Sequence, residues 1–176
     1  DVIGTINFQT PDESSSGDSR LVAAGIEAVA EQTFSSTANT TRLKFKTAVS
    51  ETATEKMTLT GAGNLGIGTT APSELLHIAS TGDATIKLEA DTDNSGEDDN
   101  PKILLVQDGG GVSSRLAMTE YNDLQLYNQV AGNLTFGTAN AEKMRIQASG
   151  NVGIGVSSPL KTLHVDGPAL STVQTL

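Results

Sequence analysis

The chain has 176 residues, no cysteine, and a formal net charge of −10 from 21 acidic and 11 basic residues. This balance excludes an electrostatic nucleic-acid binder, which needs clustered Lys and Arg to neutralise phosphates. Apolar runs of only a few residues exclude a membrane-spanning segment, and the lack of cysteine excludes disulfides and thiolate zinc sites. The chain begins at Asp1 with no secretory signal, so we expect a fragment or a processed product.

Large side chains are scarce in this sequence. It has 4 Phe, 2 Tyr and no Trp, whereas Gly alone contributes 18 residues. A compact monomer normally draws much of its core from aromatic side chains. We therefore expect internal repetition or oligomerisation to supply the missing burial.

The first part of the chain predicts short strands separated by polar loops. The predicted strands are Ile3–Phe8, Leu21–Glu31 and Arg42–Thr47. Alanines in the second of these are equally compatible with a helix. Apolar residues at every second position favour a strand there, and little or no helix is expected overall.

A repeat organises the whole chain. Residues 55–78 (EKMTLTGAGNLGIGTTAPSELLHI) and 142–165 (EKMRIQASGNVGIGVSSPLKTLHV) align without a gap at an offset of 87, with 11 of 24 positions identical. We call each copy the module. The alignment predicts two β repeat units, 1–80 and 81–166, each closed by one module. Residues 167–176 are expected to be a linker or the start of a further segment.

Within the module the pattern is strand, turn, strand, turn, strand. Met57 and Leu59 alternate with threonines, and 61–64 supply the positive φ angles of a tight turn. Along 65–68 aliphatic residues alternate with glycine, so one side is nearly bare backbone that another backbone can approach closely. Pro72 interrupts the ladder because proline has no donor N–H, and 76–78 resumes an extended segment.

The second unit reads as a β-meander with turns at 108–111, 121–123 and 131–133. Its predicted strands are Ala84–Glu89, Ile103–Gln107, Ser113–Thr119, Leu124–Asn128 and Asn133–Gly137.

The module resembles the recurring shaft element of bacteriophage tail fibres, which often stands upstream of a self-cleaving C-terminal intramolecular chaperone. Gly4–Phe8, Ala24–Glu27 and Thr41–Phe45 are similar to strands found further upstream in such fibres. The resemblance covers 2–78 and 142–166, and 79–141 in general character. The end of the chain departs from the pattern, because 167–176 contains neither a chaperone nor a receptor-binding tip. Similar modules also occur in surface proteins of some bacteria.

The resemblance implies an all-β, elongated, intertwined parallel homotrimer of the β-prism or fibre type. It implies a virion location, contacts with other tail or baseplate proteins, and host attachment. In that setting no residue acts chemically. Six residues are expected to act through packing between chains: Gly66, Ile67, Gly68, Gly153, Ile154 and Gly155.

Two short patterns resemble known ligand sites, one rich in glycine and the other rich in acidic residues. Residues 61–66 match the dinucleotide pattern G-x-G-x-x-G, but Gly68 and Pro72 leave no room for the helix that binds the pyrophosphate. We interpret them as a turn. Residues 91–96 begin like a calcium loop, but Lys102 occupies the place of the bidentate Glu, so a solvated acidic loop is favoured.

The two histidines, His77 and His164, occupy equivalent places in the module. In a trimer each could form a ring of three imidazoles that binds a transition metal. Repeated packing is the favoured interpretation, since a lone His per chain lacks further ligands nearby. No cofactor and no metal are therefore predicted.

Three functional hypotheses follow. The first is a shaft segment of a trimeric viral tail fibre that presents the host-receptor-binding end for adsorption. The second is a module that binds host glycan or receptor through loops such as 91–100, and a bacterial surface adhesin is a related alternative. The third, a glycan-cleaving tailspike, needs paired carboxylates and aromatic platforms, and this chain has six aromatic residues. We therefore expect no enzyme.

Overall fold

The computed structural model describes residues 1–9, 21–49, 51–90, 92–93 and 99–167. Over these residues the protein is all-β, with three open sheets, one 3₁₀ turn at Asp108–Gly110 and no α-helix. The predicted lack of helix is thus confirmed for the described ranges. The chain divides into two compact units, Asp1–Ile86 and Lys87–Leu176.

The first unit is one six-stranded sheet whose spatial order follows the chain. Its strands are β1 (Val2–Gln9), β2 (Val22–Ala30), β3 (Thr41–Thr47), β4 (Thr54–Leu59), β5 (Leu65–Ile67) and β6 (Leu76–Ile78). Neighbours are antiparallel up to β5, whereas β5 and β6 are parallel. A parallel pair needs a crossover connection, and here the segment containing Pro72 supplies it.

The second unit contains a three-stranded and a four-stranded sheet. The first comprises β7 (Lys102–Gln107), β8 (Val112–Met118) and β9 (Leu124–Asn128). The second comprises β10 (Leu134–Thr138), β11 (Ala141–Ile146), β12 (Val152–Ile154) and β13 (Leu163–Val165). Its last pair, β12 and β13, is parallel, as at the end of the first unit.

Most predicted strands are confirmed to within two residues, including β2, for which a helix was the alternative. The strand predicted over 84–89 is wrong, because no strand forms there. A strand exists through hydrogen bonds to a neighbour, and no strand of the described chain is hydrogen-bonded to this segment.

The turn of the first module also needs a correction. Positive φ was predicted across 61–64, but within that range it occurs at Gly63 alone, with φ 87°. The Gly63 N–H donates to the Thr60 carbonyl at 2.9 Å and closes the turn, so one left-handed residue is sufficient.

The small buried core of the first unit lies on one side of its sheet. The buried strand residues are Gly25, Glu27, Val29, Thr58 and Gly66, and Ala53 in a connecting loop is buried with them. The strand register places all five on the same face. The other face is the one that carries the large apolar side chains.

Candidate functional site

The strand register of the first unit collects its large apolar side chains into two parallel rows on one face. One row contains Ile6, Ile26, Phe45, Met57, Ile67 and Ile78. The adjacent row contains Gly4, Ala28, Leu43, Leu59, Leu65 and Leu76. We call these two rows the aliphatic face. The period of two along each strand produces them, because alternate side chains point to opposite sides of a sheet.

No described part of the chain covers the aliphatic face. Ile6 is 60% exposed, Leu76 is 54% exposed and Ile67 is 41% exposed. Contiguous apolar patches of this kind are rare on soluble monomers and mark interaction surfaces.

The opposite face is polar, and the chain itself covers it. Lys46 pairs with Glu27 at 3.1 Å, and Lys44 lies 3.6 Å from Glu55. Thr58 is fully buried there, and its hydroxyl donates to the Leu43 carbonyl at 3.3 Å. A sheet that buries its polar face and exposes its apolar face reverses the usual arrangement of a soluble domain.

The four-stranded sheet of the second unit carries the same two rows. One contains Phe136, Met144, Ile154 and Val165, and the other contains Leu134, Ile146, Val152 and Leu163. The rows also include residues of β3 and β10. These two strands precede the aligned modules, so the sequence alignment did not show that they belong to this face. An apolar residue at alternate positions just before each module (Leu43 and Phe45, Leu134 and Phe136) was the available signal. Both pairs of strands also share a bulge directly after the Phe.

The two modules share their backbone hydrogen bonds at the same offset of 87. Gly63 donates to Thr60 at 2.9 Å, and Gly150 donates to Gln147 at 2.8 Å. The side-chain amide of Asn64 donates to the Pro72 carbonyl at 3.3 Å, and Asn151 donates to Pro159 at 3.2 Å. Three of the identical residues, Gly63, Asn64 and Pro72, therefore close the turn and hold the crossover of the module.

The repeated glycines inside the module allow the chain to approach itself. A Cβ on Gly66 would lie 2.5 Å from the Thr69 carbonyl oxygen, and one on Gly153 would meet the Val156 carbonyl. Gly68 faces the Ala79 carbonyl in the same way and has φ 73°. The sequence had predicted that these glycine faces stack between chains. That prediction needs correction, because the crossover of the same chain occupies the space beside Gly66 and Gly153.

The remaining residues predicted to pack between chains, Ile67 and Ile154, lie on the aliphatic rows. Each is 41% exposed and occupies the same place in its module. Gly155 is the equivalent of Gly68 in the second module. It has no Cβ, which leaves room for the Asp166 carbonyl. The isoleucines are thus available to a neighbouring molecule, whereas Gly66 and Gly153 are buried against their own chain.

Both histidines act as acceptors for the crossover. The Ser73 N–H donates to Nδ1 of His77 at 3.3 Å, and the Leu160 N–H donates to Nδ1 of His164 at 3.4 Å. Nδ1 of each ring is thus engaged within its own module. Over the described ranges, no group of three or more His, Cys, Asp or Glu residues could hold a metal ion.

The structure describes all of the dinucleotide-like pattern but only part of the acidic loop. Residues 61–66 form a turn and the start of β5, and no helix follows within 67–90. The calcium-like loop falls largely outside the described residues, since 91 and 94–98 are not among them, and so do 10–20 and 168–176.

A polar cleft lies on the three-stranded sheet of the second unit. It is lined by Lys102, Arg115, Tyr121, Asp123 and Gln125, among others. Arg115 donates to the Gln125 side chain at 2.9 Å, and its guanidinium lies 5.3 Å from the centre of the Tyr127 ring. Both carboxylates at the cleft, Glu120 and Asp123, are exposed on the β8–β9 turn.

One ion pair of the second module shifts the pKa values of both its members. Arg145 donates to the two Glu142 carboxylate oxygens at 2.5 and 2.6 Å. These hydrogen bonds hold the pKa of Glu142 below its usual value and raise the pKa of Arg145. A two-point contact of this kind fixes the orientation of both side chains on β11.

None of the described helical turns is long and apolar enough to cross a membrane. Comparison with known proteins finds no family model that matches the chain and no matching curated protein.

Proposed function

We propose that the chain is a shaft segment of a bacteriophage tail fibre and acts as a parallel homotrimer in the virion. In this role it holds the receptor-binding end away from the particle, joins other tail or baseplate proteins, and transmits host contact. The uncovered aliphatic face, present in both modules, is the observation that supports the proposal most directly.

Three copies could cover this face by turning it inward around a common axis. Burial of apolar surface is the main favourable term in association, at about 25 cal/mol per Å². The polar faces, with their ion pairs and crossovers, would then face water. Each module would bury its rows against the same rows of the other two copies.

A threefold axis supports parallel alignment, because it points all three copies in the same direction. Each row of the first module has its equivalent in the second, with Ile67 matched by Ile154 and Leu65 by Val152. Copies in register bring like rows together at both modules. Three chains of charge −10 carry −30 in total, which would keep a long rod soluble.

The subunit count tests this proposal. Sedimentation equilibrium is expected to give a mass near 54.6 kDa, three times the 18.2 kDa of one chain. Sedimentation velocity is expected to give the high frictional ratio of a rod. A folded species of 18.2 kDa with a globular frictional ratio would contradict the proposal.

The virion location and the lack of enzyme activity need tests of their own. Immunogold labelling of phage particles that carry this chain is expected to mark the tail fibre. Incubating the trimer with host polysaccharide is expected to leave its length unchanged. Label on the phage head alone would contradict the proposed location in the tail fibre. Shortened polysaccharide would contradict the proposed lack of enzyme activity.

A further inference from the structure

Residues 84–89 (ATIKLE) form an ordered segment with no strand partner. They run without a turn or bend, and over the described ranges none of them makes a backbone hydrogen bond. All six residues are exposed. Water can bond to exposed backbone N–H and C=O groups, but an extended segment without a strand partner also offers them for pairing with the edge of another strand.

The side chains of this segment alternate as in a strand with two different faces. Ile86 and Leu88 are 64% and 47% exposed. Lys87 and Glu89 pair with each other at 2.6 Å, as two residues on the same side of an extended chain can. The segment therefore has one apolar and one charged face, the pattern of a strand in a half-buried sheet.

The outer edge of β7 is a suitable acceptor. This strand also has six residues and pairs with β8 on one side alone among the described strands. Four consecutive apolar residues, Ile103 to Val106, are all exposed. Natural proteins protect such edges with charges, prolines or a covering strand, and the interior of β7 has neither charge nor proline.

We propose that residues 84–89 of one copy add as a strand to the free edge of β7 in a neighbouring copy of this chain. Ile86 and Leu88 would then extend one apolar side of the three-stranded sheet, and the β7 backbone groups would gain partners. Strand addition of this kind takes its affinity from main-chain hydrogen bonds and its specificity from alternate side chains.

The geometry of this exchange agrees with a ring of copies. Donor segment and acceptor edge are different surfaces of the same chain, so the contact is heterologous. Heterologous contacts form a ring when the rotation between copies closes, and in a ring of three each copy is both donor and acceptor. The inference therefore rests on the proposed homotrimer and specifies how its chains are linked.

Paired cysteine variants test the proposal, because the native chain has no cysteine. Tagged chains carrying I86C or L88C are refolded with untagged chains carrying I103C, L104C, L105C or V106C, which gives eight combinations to cover both sides of β7. Mild oxidation is expected to give a disulfide between a tagged and an untagged chain in at least one combination. Both cysteines placed in one chain provide the intramolecular control.

The mass of the same samples separates the two proposals. A trimeric mass with no link between chains in any combination, or a link that forms only within one chain, would overturn the strand addition alone. A monomeric mass would overturn the strand addition and the proposed trimer together.

A proline variant gives a second readout that does not depend on cysteine geometry. Lys87→Pro removes a backbone donor that the single chain does not use, whereas Lys87→Ala keeps that donor and removes the ion pair. We expect Lys87→Pro to weaken trimer association roughly tenfold relative to Lys87→Ala. Leu88→Pro, compared with Leu88→Ala, tests the neighbouring N–H, which points to the other side of the strand. Equal association within both pairs of variants would overturn the proposal.

Discussion

Gly66 and Gly153 show what a repeated glycine does in this molecule. Each is buried beneath the crossover of its own module, and the position of a nearby carbonyl leaves no room for a methyl group. Small residues of this kind bring two backbone segments together, which large side chains prevent. Their repetition at 87 residues therefore reflects a shared local fold.

Replacing Gly66 with alanine is expected to destabilise the protein by roughly 1–3 kcal/mol, the usual cost of overpacking. The added methyl would lie 2.5 Å from the Thr69 carbonyl oxygen. Gly82→Ala is the matched control, because a methyl group on Gly82 would have no other atom within 4 Å. Urea unfolding at one fixed protein concentration measures both, and an equal midpoint for the two variants would contradict this account.

His77 illustrates a second residue role, that of a hydrogen-bond acceptor for the crossover. His77→Ala removes the acceptor of the Ser73 N–H and is expected to cost about 1 kcal/mol, the typical net value of one hydrogen bond. Amide exchange at Ser73 should quicken, while exchange at Ala71, whose N–H donates to Thr69, should not. Unchanged exchange at Ser73 would show that the ring does not hold this turn.

The Glu142–Arg145 pair predicts a pH effect with a defined sign. Hydrogen bonds from Arg145 lower the pKa of Glu142 from its usual 4.5, so the folded state binds this proton less readily than the unfolded state. The contribution of the pair is present above pH 4.5 and is lost as the pH falls through the folded pKa.

Carboxyl NMR titration of the native chain and of Arg145→Met checks this prediction. The variant is expected to return the pKa of Glu142 towards its usual value. Superimposable Glu142 titration curves in the two proteins would contradict it.

At the scale of the element, the pairing of rows across strands creates a surface that no single strand has. Ile67 lies between Met57 and Ile78 because β5 pairs with β4 on one side and β6 on the other. Each strand contributes two or three apolar side chains, and the sheet arranges them into a continuous face.

A charge on this face is expected to prevent assembly. Ile67→Asp together with Ile154→Asp would bury six carboxylates in a trimer, and each unpaired buried charge costs several kcal/mol. Val49→Asp is the control, since Val49 is 97% exposed and lies in a loop. Light scattering should give a trimer for the control and a smaller species for the double variant. A double variant that keeps the trimeric mass would place the interface elsewhere.

The alternation of apolar residues predicted nearly every strand, because a period of two is a local property of the sequence. It failed at 84–89, where the same alternation lacks a partner within the described chain. The turn between β10 and β11 was also missed. It uses positive φ at Ala139 and Asn140, and alanine gives no signal of such a backbone.

At the scale of the whole molecule, folding and association are expected to be one event. The buried apolar residues among the described ones are Val29, Ala53 and Ala117, which is too little for a stable monomer of this length. In the proposed trimer, most of the apolar burial would come from neighbouring chains.

Coupled folding and association makes stability depend on concentration. Raising the total protein concentration about a hundredfold is expected to raise the melting temperature, because mass action favours the associated folded state. Differential scanning calorimetry over this range measures the shift. A melting temperature independent of concentration would indicate a monomer that folds alone.

The shaft role and the receptor-binding alternative predict different effects of one deletion on phage adsorption. Replacing residues 91–100 with a short Gly-Ser linker should leave phage adsorption unchanged if the chain is a shaft. Lost adsorption by intact, trimeric fibres would favour direct receptor binding through this loop.

Composition, period and spacing are local properties, and they were sufficient to predict the β class, the repeated module and the shortage of large side chains. The tertiary structure decided which side of each sheet is covered. That outcome depends on strand register and on the path of the crossovers, which bring distant residues together over Gly66 and Gly153. The glycine faces therefore lie against their own chain, and the aliphatic rows remain for a neighbour.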